Sequence, residues 1–396
     1  MVQQGARGAM LMALGVLAAA GMLRAPITSV PPSLAAISSD LTLSATAAGA
    51  TTSLPLICFG VFAFLAPLLI TRFGLERTMV LLLAPLLVGV LLRSAGGPVP
   101  FYAGAVLVGV GIAIGNVLLP ALIRTRFPGR VALMMGLYVS VLQLSGAVGS
   151  AVTAPLEEGL GWGWRPALVI WALPVALLVP LWLSIARRRP REPVARPPAG
   201  LAHVARRRMS WAITLFMGLQ AGIFYTMLTW IPAHLTVQGV SIATAGLVLG
   251  LYSLLGLPGA FIAPHFATGP HARIFVGAVY ALQVLAMILF GLGAAPAIVA
   301  ALIAGLCQGA GFSIALTFIA DQPDPHDVPA ISAMAQGLGY LVAAAGPAGV
   351  GALYGATGDW LWPDALVAAA AAVLIVLGGA IGGRIYRLHD LERLGR

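Results

Sequence analysis

The sequence has little charge and very little acid. Charged residues make up 9% of its 396 residues and apolar residues 60%, and Asp and Glu together number only 12. A soluble protein of this length needs far more charge on its surface, so the composition excludes a soluble globular protein. The apolar runs are also too long for the strands of a membrane barrel, which alternate over about 10 residues. The composition predicts an all-α membrane protein.

Cysteine is almost absent, and lysine is missing altogether. The two cysteines, Cys58 and Cys307, lie inside apolar runs and indicate neither a disulfide nor a metal site. No cluster of His, Cys and carboxylate groups falls at depth within the apolar segments, which argues against an enzyme. No sizeable soluble domain is present that would suit a receptor. We therefore predict no catalytic residue, no metal and no cofactor.

All 22 basic residues are arginine, and the net charge of +10 could suggest a nucleic-acid partner. The arginines fall mainly in short loops between apolar runs, so membrane topology explains them better and no nucleic-acid partner is predicted. The first apolar segment is longer than the core of a signal peptide, so we expect no cleavage there.

Hydropathy predicts twelve spans of about 20 residues each. Their approximate ranges are 9–31, 47–70, 78–95, 100–123, 131–153, 163–186, 211–233, 243–267, 272–291, 296–320, 329–353 and 362–385.

The longest polar stretch divides the chain into two parts. Residues 187–210 are rich in Arg and Pro and suit a cytoplasmic connector beside anionic lipid headgroups. We predict six-helix bundles over residues 1–186 and 211–396. All but three arginines fall on one side of the predicted topology, the exceptions being Arg24, Arg93 and Arg165. This asymmetry predicts that the N- and C-termini both lie in the cytoplasm.

The two parts repeat one another. Residues 49–71 align without gaps on residues 246–268, with Ala63, Phe64, Ala66 and Pro67 all matched. Two related halves of six spans are the arrangement of the major facilitator fold, in which substrate binds near the bilayer midplane. We therefore predict twelve transmembrane helices in two pseudo-symmetric six-helix bundles.

Arg24 lies deep in the first predicted span, about 20 Å from its start at 1.5 Å per residue. A charge at the bilayer centre costs about 2.5–3.5 kcal/mol on insertion scales and usually marks a functional site. We predict no intramembrane carboxylate to neutralise it, so Arg24 is a candidate ligand for an anion. A structural role, bonded to helix-end carbonyls or reaching an interface, is the alternative. Pro26, Pro31 and Pro32 predict a break in the same helix.

A small set of polar residues accompanies Arg24. Each of spans four, seven and ten supplies such groups at a similar depth, and the predicted substrate-binding residues are Arg24, Asn116, Gln220, Tyr225 and Gln308. An intramembrane amide can equally be a hydrogen bond between helices. Further candidates for the pocket are Phe224, Trp230, Phe312, Gln143, Gln336 and Tyr340.

Two histidines near the ends of spans could couple transport to protons. His234 is near the outer end of span seven and His265 near the inner end of span eight, and imidazole changes charge between about pH 5 and 8. Each could also be an ordinary interfacial residue. Without an intramembrane carboxylate, the sequence is poorly suited to cationic substrates.

The loop between spans two and three resembles the Asp-Arg-x-Gly loop of the major facilitator superfamily. Arg72, Gly74 and Arg77 fit a tight turn that serves as a gating loop, while Thr71 stands where the acid would be. The missing acid puts the usual charge network of this loop in question.

Four segments resemble one branch of that superfamily, the cyanate permeases and 2-nitroimidazole transporters. They are residues 23–30 in span one, 115–120 in span four, 218–220 with 224–225 in span seven, and 334–340 in span eleven. One departure is Ala25 followed by Pro26, where Arg directly followed by Pro is expected. The resemblance implies a permease of the bacterial inner membrane and leaves uptake and export both open.

Two hypotheses follow. The first is a secondary transporter, a monomer in the lipid bilayer, that moves a small anion such as cyanate or a carboxylate by alternating access, with Arg24 as its ligand. The alternative is an exporter of small nitroaromatic or drug-like compounds, in which Phe224, Trp230 and Phe312 would stack on the ring.

Overall fold

The computed structural model describes residues 2–188, 201–267, 270–322 and 327–394, and these are almost entirely α-helical. Twelve helices in this part of the chain are long and apolar enough to cross a membrane. They are α1 (Met10–Asp40), α2 (Ala45–Phe62), α3 (Leu75–Leu92), α4 (Pro98–Arg126), α5 (Leu133–Gly159), α6 (Trp164–Arg187), α7 (Arg208–Val237), α8 (Ile242–His265), α9 (Ala272–Phe290), α10 (Ala294–Ala320), α11 (Ala330–Thr357) and α12 (Leu361–Ile385).

The twelve predicted spans are confirmed, and most boundaries agree within a few residues. The largest difference is in α1, which continues nine residues beyond the predicted end at residue 31. Part of the predicted connector, residues 189–200, is outside the described residues. Next to it, Leu201–Val204 is a short helix, and α7 begins at Arg208 rather than at residue 211.

Helix α1 is interrupted where its sequence predicts a break. Its first segment ends at Met22, Ala25–Thr28 forms one short helical turn, Pro31–Ser33 forms a 3-10 turn, and the helix resumes at Leu34. Proline has no backbone N–H and its ring clashes with the preceding turn, so it kinks or breaks a helix. Single prolines such as Pro232 lie inside other helices, whereas α1 carries three prolines within residues 26–32. The interruption leaves backbone carbonyls of α1 available to other partners.

The described helices divide into two compact units. One comprises Met1–Leu41 and Ile57–Pro197, and the other comprises Thr42–Leu56 and Pro198–Arg396. The division therefore falls partly inside α2, whose first half packs with the second unit. We call them the N-unit and the C-unit.

The first half of α2 docks on α7 and α11 within the C-unit. A Cβ atom at Gly49 would overlap the carbonyl oxygen of Pro347, and one at Gly351 would overlap that of Ala45. Thr229 donates a hydrogen bond to Thr52 over 2.8 Å. Small residues thus let these backbones meet directly, as is common where membrane helices associate.

Helices α8 and α10 make another close contact in the C-unit. A Cβ atom at Gly309 would overlap the backbone of Gly256, and one at Gly259 would overlap the carbonyl oxygen of Leu306. Because the obstructing atoms are backbone, no side-chain rotation can relieve such an overlap.

Gly309→Ala is expected to destabilise the protein by about 3 kcal/mol, since overpacking forces the two helices apart. The measurement is the melting temperature of the purified protein in detergent. Gly349→Ala is the matched control, because that helical glycine has open space where a Cβ would be. Its melting temperature should stay the same or rise. Equal melting temperatures for the two variants would contradict the packing described.

Candidate functional site

Arg24 lies at the start of the interruption in α1. It is the residue before the short helix Ala25–Thr28, and its side chain is half-buried. Its Nη2 donates to the amide oxygen of Gln143 on α5 over 3.4 Å. A Cβ at Gly146 would lie 3.0 Å from Arg24 Cγ, so the glycine makes room for the arginine. The structure therefore brings together Arg24 and one of the further predicted residues, Gln143.

Small residues of α4 and α5 surround the interruption. Gly149 faces Thr28, and Ser150 donates to the Thr28 carbonyl over 3.2 Å. On α4, a Cβ at Gly115 would lie 2.6 Å from Leu23, immediately before Arg24. The half-buried Asn116 follows Gly115 directly. Asn116 is thus placed on a helix that contacts α1 next to Arg24.

Arg93 is a functional candidate that the sequence analysis placed only on the outer side of the membrane, near the end of the predicted span 78–95. It is 2% exposed and follows the last residue of α3. Its Nη1 donates to the carbonyl of Pro26 and its Nη2 to Ser29 Oγ at 3.5 Å, both in the interruption of α1. Burial lowers the pKa of Arg93 to about 10, so it remains charged at neutral pH. Its position at a predicted span boundary gave no sign that it points into the protein.

Arg93→Met is expected to leave stability within about 1 kcal/mol, because an apolar residue removes the desolvation of a buried charge. Transport should nevertheless fall about tenfold, since the segment that carries Arg24 loses its anchor; such a loss corresponds to ~1.4 kcal/mol. The measurements are a melting curve and initial transport rates in proteoliposomes. Arg93→Lys keeps the charge and should retain more activity than Arg93→Met. Unchanged transport by Arg93→Met would contradict a positioning role.

Aromatic side chains gather in the C-unit. The rings of Phe224 and Tyr225 are 4.6 Å apart, and that of Tyr225 is 6.4 Å from Tyr340 on α11. Tyr252 on α8 stacks on Phe224 at 6.0 Å and donates its hydroxyl to the Phe224 carbonyl. We call these four residues the aromatic cluster. Three of them were predicted; Tyr252 was not, because nothing in the α8 sequence distinguishes it from a packing residue.

The predicted glutamines of the C-unit have separate surroundings. Gln220 is 4% exposed, and its Nε2 lies 3.3 Å from Met217 Sδ. The Nε2 of Gln308 is buried without a hydrogen-bond partner among the described residues. Gln336 donates to Ser332 one turn earlier on the same helix. Phe312 is 37% exposed. These four positions stay predictions for substrate contact.

His234 is buried near the C-terminal end of α7, where its Nε2 lies 3.0 Å from Asp364 Oδ2 on α12. The expectation that no carboxylate would be found within the spans is therefore wrong at Asp364, which lies near the first turn of α12. It also fails at Glu157, near the end of α5, which accepts a hydrogen bond from Ser33. His265, by contrast, is exposed in a 3-10 turn at the C-terminal end of α8.

Trp230 lies one turn before His234 on α7. Its Nε1 donates to the carbonyl of Pro347 on α11 over 2.9 Å. Its ring is 5.8 Å from that of Trp360. Trp230 and His234 line the same small cavity, together with Phe290 and Asp364. Trp230 is thus anchored by a hydrogen bond and packs beside the histidine.

The gating loop contains a buried ion pair. Gly74 has φ 81°, the left-handed region that favours glycine, and separates the helix Leu65–Phe73 from α3. Arg72 and Arg77 are exposed. Glu76, which is 6% exposed, accepts from Arg126 at the end of α4 over 2.6 and 2.7 Å. An ion pair therefore lies at the end of this loop, with Glu76 as its acid, whereas position 71 is a threonine. The corresponding loop of the second half, residues 268–273, falls partly outside the described residues.

Within the described part of the chain, no group of three or more His, Cys, Asp or Glu residues is placed to hold a metal ion. Cys58 and Cys307 are both buried free thiols. The polar groups around Arg24 and in the C-unit can bind a solute, since they supply charge and hydrogen bonds.

Comparison with known proteins decides the family. The model of the Major Facilitator Superfamily matches residues 11–347. The chain belongs to the major facilitator superfamily. Solved structures of this superfamily share its fold. They include a bacterial homologue of the lysosomal transporter Spinster, with TM-score 0.73 and 16% identity over 96% of this chain and 97% of that one. The nucleoside transporter NupG has TM-score 0.75 and 14% identity over 93% and 99%.

Curated relatives of this superfamily member are also similar over nearly their whole length. The uncharacterized transporter YycB of Bacillus subtilis is 37% identical, with 92% of this chain and 91% of YycB covered. The 2-nitroimidazole transporter of Escherichia coli is 34% identical over 93% and 94%. The cyanate transport protein CynX of Escherichia coli is 28% identical over 86% and 88%.

The resemblance noted from four sequence segments is thereby confirmed at the level of the superfamily. This chain is a transporter rather than an enzyme, and it spans the bacterial inner membrane several times. Its partners include the lipid bilayer and a small-molecule substrate.

Proposed function

We propose that this transporter moves a small anion, such as cyanate or a small carboxylate, across the bacterial inner membrane by alternating access. The observation that carries the proposal is Arg24, a half-buried guanidinium at an interruption of α1 that donates to the amide oxygen of Gln143 on α5. The planar fork of arginine suits a carboxylate or another small planar anion.

The surroundings of Arg24 favour binding of a solute. The interruption removes backbone groups of α1 from regular helical hydrogen bonding. Irregular backbone is tolerated at membrane depth where it is buried in protein or lines a cavity. Asn116 and Gln143 supply amide groups on neighbouring helices of the N-unit. We propose that these two residues orient the anion on Arg24. Substrate contacts by Gln220, Tyr225 and Gln308 remain predictions.

We also propose the orientation of the transporter in the membrane and its oligomeric state. We place both termini in the cytoplasm because the arginines concentrate in the segments that would then be cytoplasmic. The transporter works as a monomer. A fluorescent protein fused to the C-terminus should fluoresce in cells. A phosphatase that is active only in the periplasm should be inactive when it is fused at the same position.

A second candidate is export of small nitroaromatic compounds. Two observations favour it: the 34% identity to a 2-nitroimidazole transporter, and the aromatic cluster of Phe224, Tyr225, Tyr252 and Tyr340. Aromatic faces stack on planar rings and add about 0.5–1.5 kcal/mol per pair. In this second candidate function, Arg24 contacts the nitro group of the substrate.

Exchange of labelled solute in proteoliposomes separates the two candidates. Vesicles loaded with unlabelled cyanate, formate or 2-nitroimidazole are diluted into the labelled compound, with protein-free vesicles as a blank. The anion proposal expects exchange of cyanate or formate that is lost in Arg24→Gln. Exchange of 2-nitroimidazole alone would overturn it in favour of the second candidate.

A further inference from the structure

A polar cluster surrounds His234 at the outer end of the C-unit. His234 Nε2 is 3.0 Å from Asp364 Oδ2, and His234 Nδ1 is 3.1 Å from Gln238 Nε2. The same amide nitrogen of Gln238 lies 2.7 Å from the carbonyl oxygen of Phe290, at the end of α9. Three helices therefore meet at one imidazole.

The hydrogen bonds assign the protons of this cluster. The Gln238 amide nitrogen carries two hydrogens, and its two neighbours are the Phe290 carbonyl and His234 Nδ1, so Nδ1 accepts. The hydrogen of the neutral imidazole is then on Nε2, which donates to Asp364. Gln238 Oε1 is left buried without a partner among the described residues.

One added proton changes this arrangement. When Nδ1 is protonated, it becomes a donor and faces the donating amide of Gln238. The amide must turn over so that Oε1 accepts from Nδ1, and the Phe290 carbonyl then loses its donor. The added charge lies beside the Asp364 carboxylate, which stabilises it. The cluster thus has two hydrogen-bonded arrangements that differ by one proton.

We propose that the cluster of His234, Gln238 and Asp364 binds the proton that accompanies the anion during uptake. This inference rests on the proposed anion transport. Moving one negative charge into a cell costs about 2.3 kcal/mol per 100 mV of membrane potential, negative inside. A proton carried in the same cycle makes the transport electroneutral, and the pH gradient then drives accumulation.

The other titratable groups are less suited to this role. Four histidines have side chains that the structure describes, and His203, His265 and His271 are exposed, whereas His234 is 5% exposed. Asp364 on α12 bonds to His234, and the phenol of Tyr354 on α11 belongs to a ring that stacks on Trp360, which in turn packs on His234. The other candidate for binding the proton is Glu157 of the N-unit, a half-buried carboxyl group that accepts a hydrogen bond from Ser33.

Contacts connect the cluster to the docking surface of α2. Trp360 packs on His234 with ring centroids 4.6 Å apart and on Trp230 at 5.8 Å. Trp230 donates to the Pro347 carbonyl, the same group that Gly49 of α2 approaches. Contacts through Trp360 and Trp230 therefore link His234 to the surface where the first half of α2 meets α11.

The test compares two assays on the same proteoliposomes, with cyanate as the probe. The first is exchange of labelled cyanate at equal pH on both sides. The second is net uptake driven by an inward proton gradient, with the membrane potential clamped by potassium and valinomycin. Protein-free vesicles correct for permeation of the neutral acid. For the wild type we expect exchange, and accumulation approaching tenfold for each unit of pH difference, since one pH unit is ~1.4 kcal/mol.

His234→Gln and Asp364→Asn should exchange cyanate within about twofold of the wild type but no longer accumulate it, because exchange needs no net movement of protons. Glu157→Gln is the matched control and should accumulate normally. A pH-sensitive dye outside wild-type vesicles should report proton uptake with cyanate, which tests the coupling without a variant.

The outcomes separate the two proposals. Exchange without any proton movement in the wild type overturns the coupling and leaves the anion proposal standing. Normal accumulation by His234→Gln, or its loss in Glu157→Gln instead, overturns the assignment to this cluster. If the wild type exchanges no anion, the proposed function fails and the coupling fails with it.

Discussion

Arg24→Gln is expected to abolish transport of small anions while the protein folds and reaches the membrane. A hydrogen bond to a charged group contributes about 1.5–3 kcal/mol, so losing it lowers affinity about 10- to 100-fold. The substitution also removes a charge that is costly at membrane depth, and folding should not suffer. The measurements are initial rates of cyanate exchange in proteoliposomes and the amount of folded protein after size-exclusion chromatography.

Two further variants test which property of the Arg24 side chain the anion requires. Arg24→Lys keeps the charge but not the planar fork, so it should retain weak transport. Arg130→Gln removes an exposed arginine between α4 and α5 and is the control for general loss of positive charge. Wild-type exchange rates in Arg24→Gln would refute its role as the anion ligand.

Glu76→Gln is expected to destabilise the protein by about 3–5 kcal/mol, because it removes the carboxylate charge from a buried ion pair with Arg126. Both side chains are at most 8% exposed, so solvent screens the pair weakly. The measurement is the free energy of unfolding in a denaturant titration, supported by the melting temperature. Arg77→Gln, one residue further and exposed, is the control and should change stability by less than about 0.5 kcal/mol.

A double substitution tests whether the effect belongs to the pair. Glu76→Met combined with Arg126→Met removes both charges and should be more stable than either single variant, since a buried pair often exchanges for apolar residues at little cost. If the two single effects simply add in the double variant, Glu76 and Arg126 act independently and the description of a coupled pair is incorrect.

Much of the fold could be predicted from the sequence because the bilayer restricts it so strongly. A spanning helix must satisfy its own backbone and be apolar over about 20 residues, and this produced twelve spans with approximate boundaries. The break in α1 was also predictable, because Pro26, Pro31 and Pro32 together remove backbone donors from one short stretch of the helix. The continuation of α1 to Asp40 was not, since residues 34–40 form only two turns after the break.

Pairing of residues far apart in the chain could not be predicted. Arg93 lies at the predicted outer end of a span, and only the folded structure shows that it bonds to Pro26 of α1. Glu76 and Arg126 are 50 residues apart, and His234 and Asp364 are 130 apart. Single-sequence hydropathy reports how deep a residue lies along its span but not which face of the helix it occupies. Arg24 was identifiable because a lone charge at that depth is rare whatever face it occupies.

Binding of anions to the purified protein tests the central claim most directly. The measurement is the melting temperature in detergent with cyanate, formate or neutral 2-nitroimidazole, for the wild type and Arg24→Gln. A ligand at 100 times its Kd stabilises the native state by about 2.7 kcal/mol. The account predicts that an anion raises the melting temperature of the wild type and leaves that of Arg24→Gln unchanged. Stabilisation by 2-nitroimidazole alone, or an equal anion effect in both proteins, would contradict it.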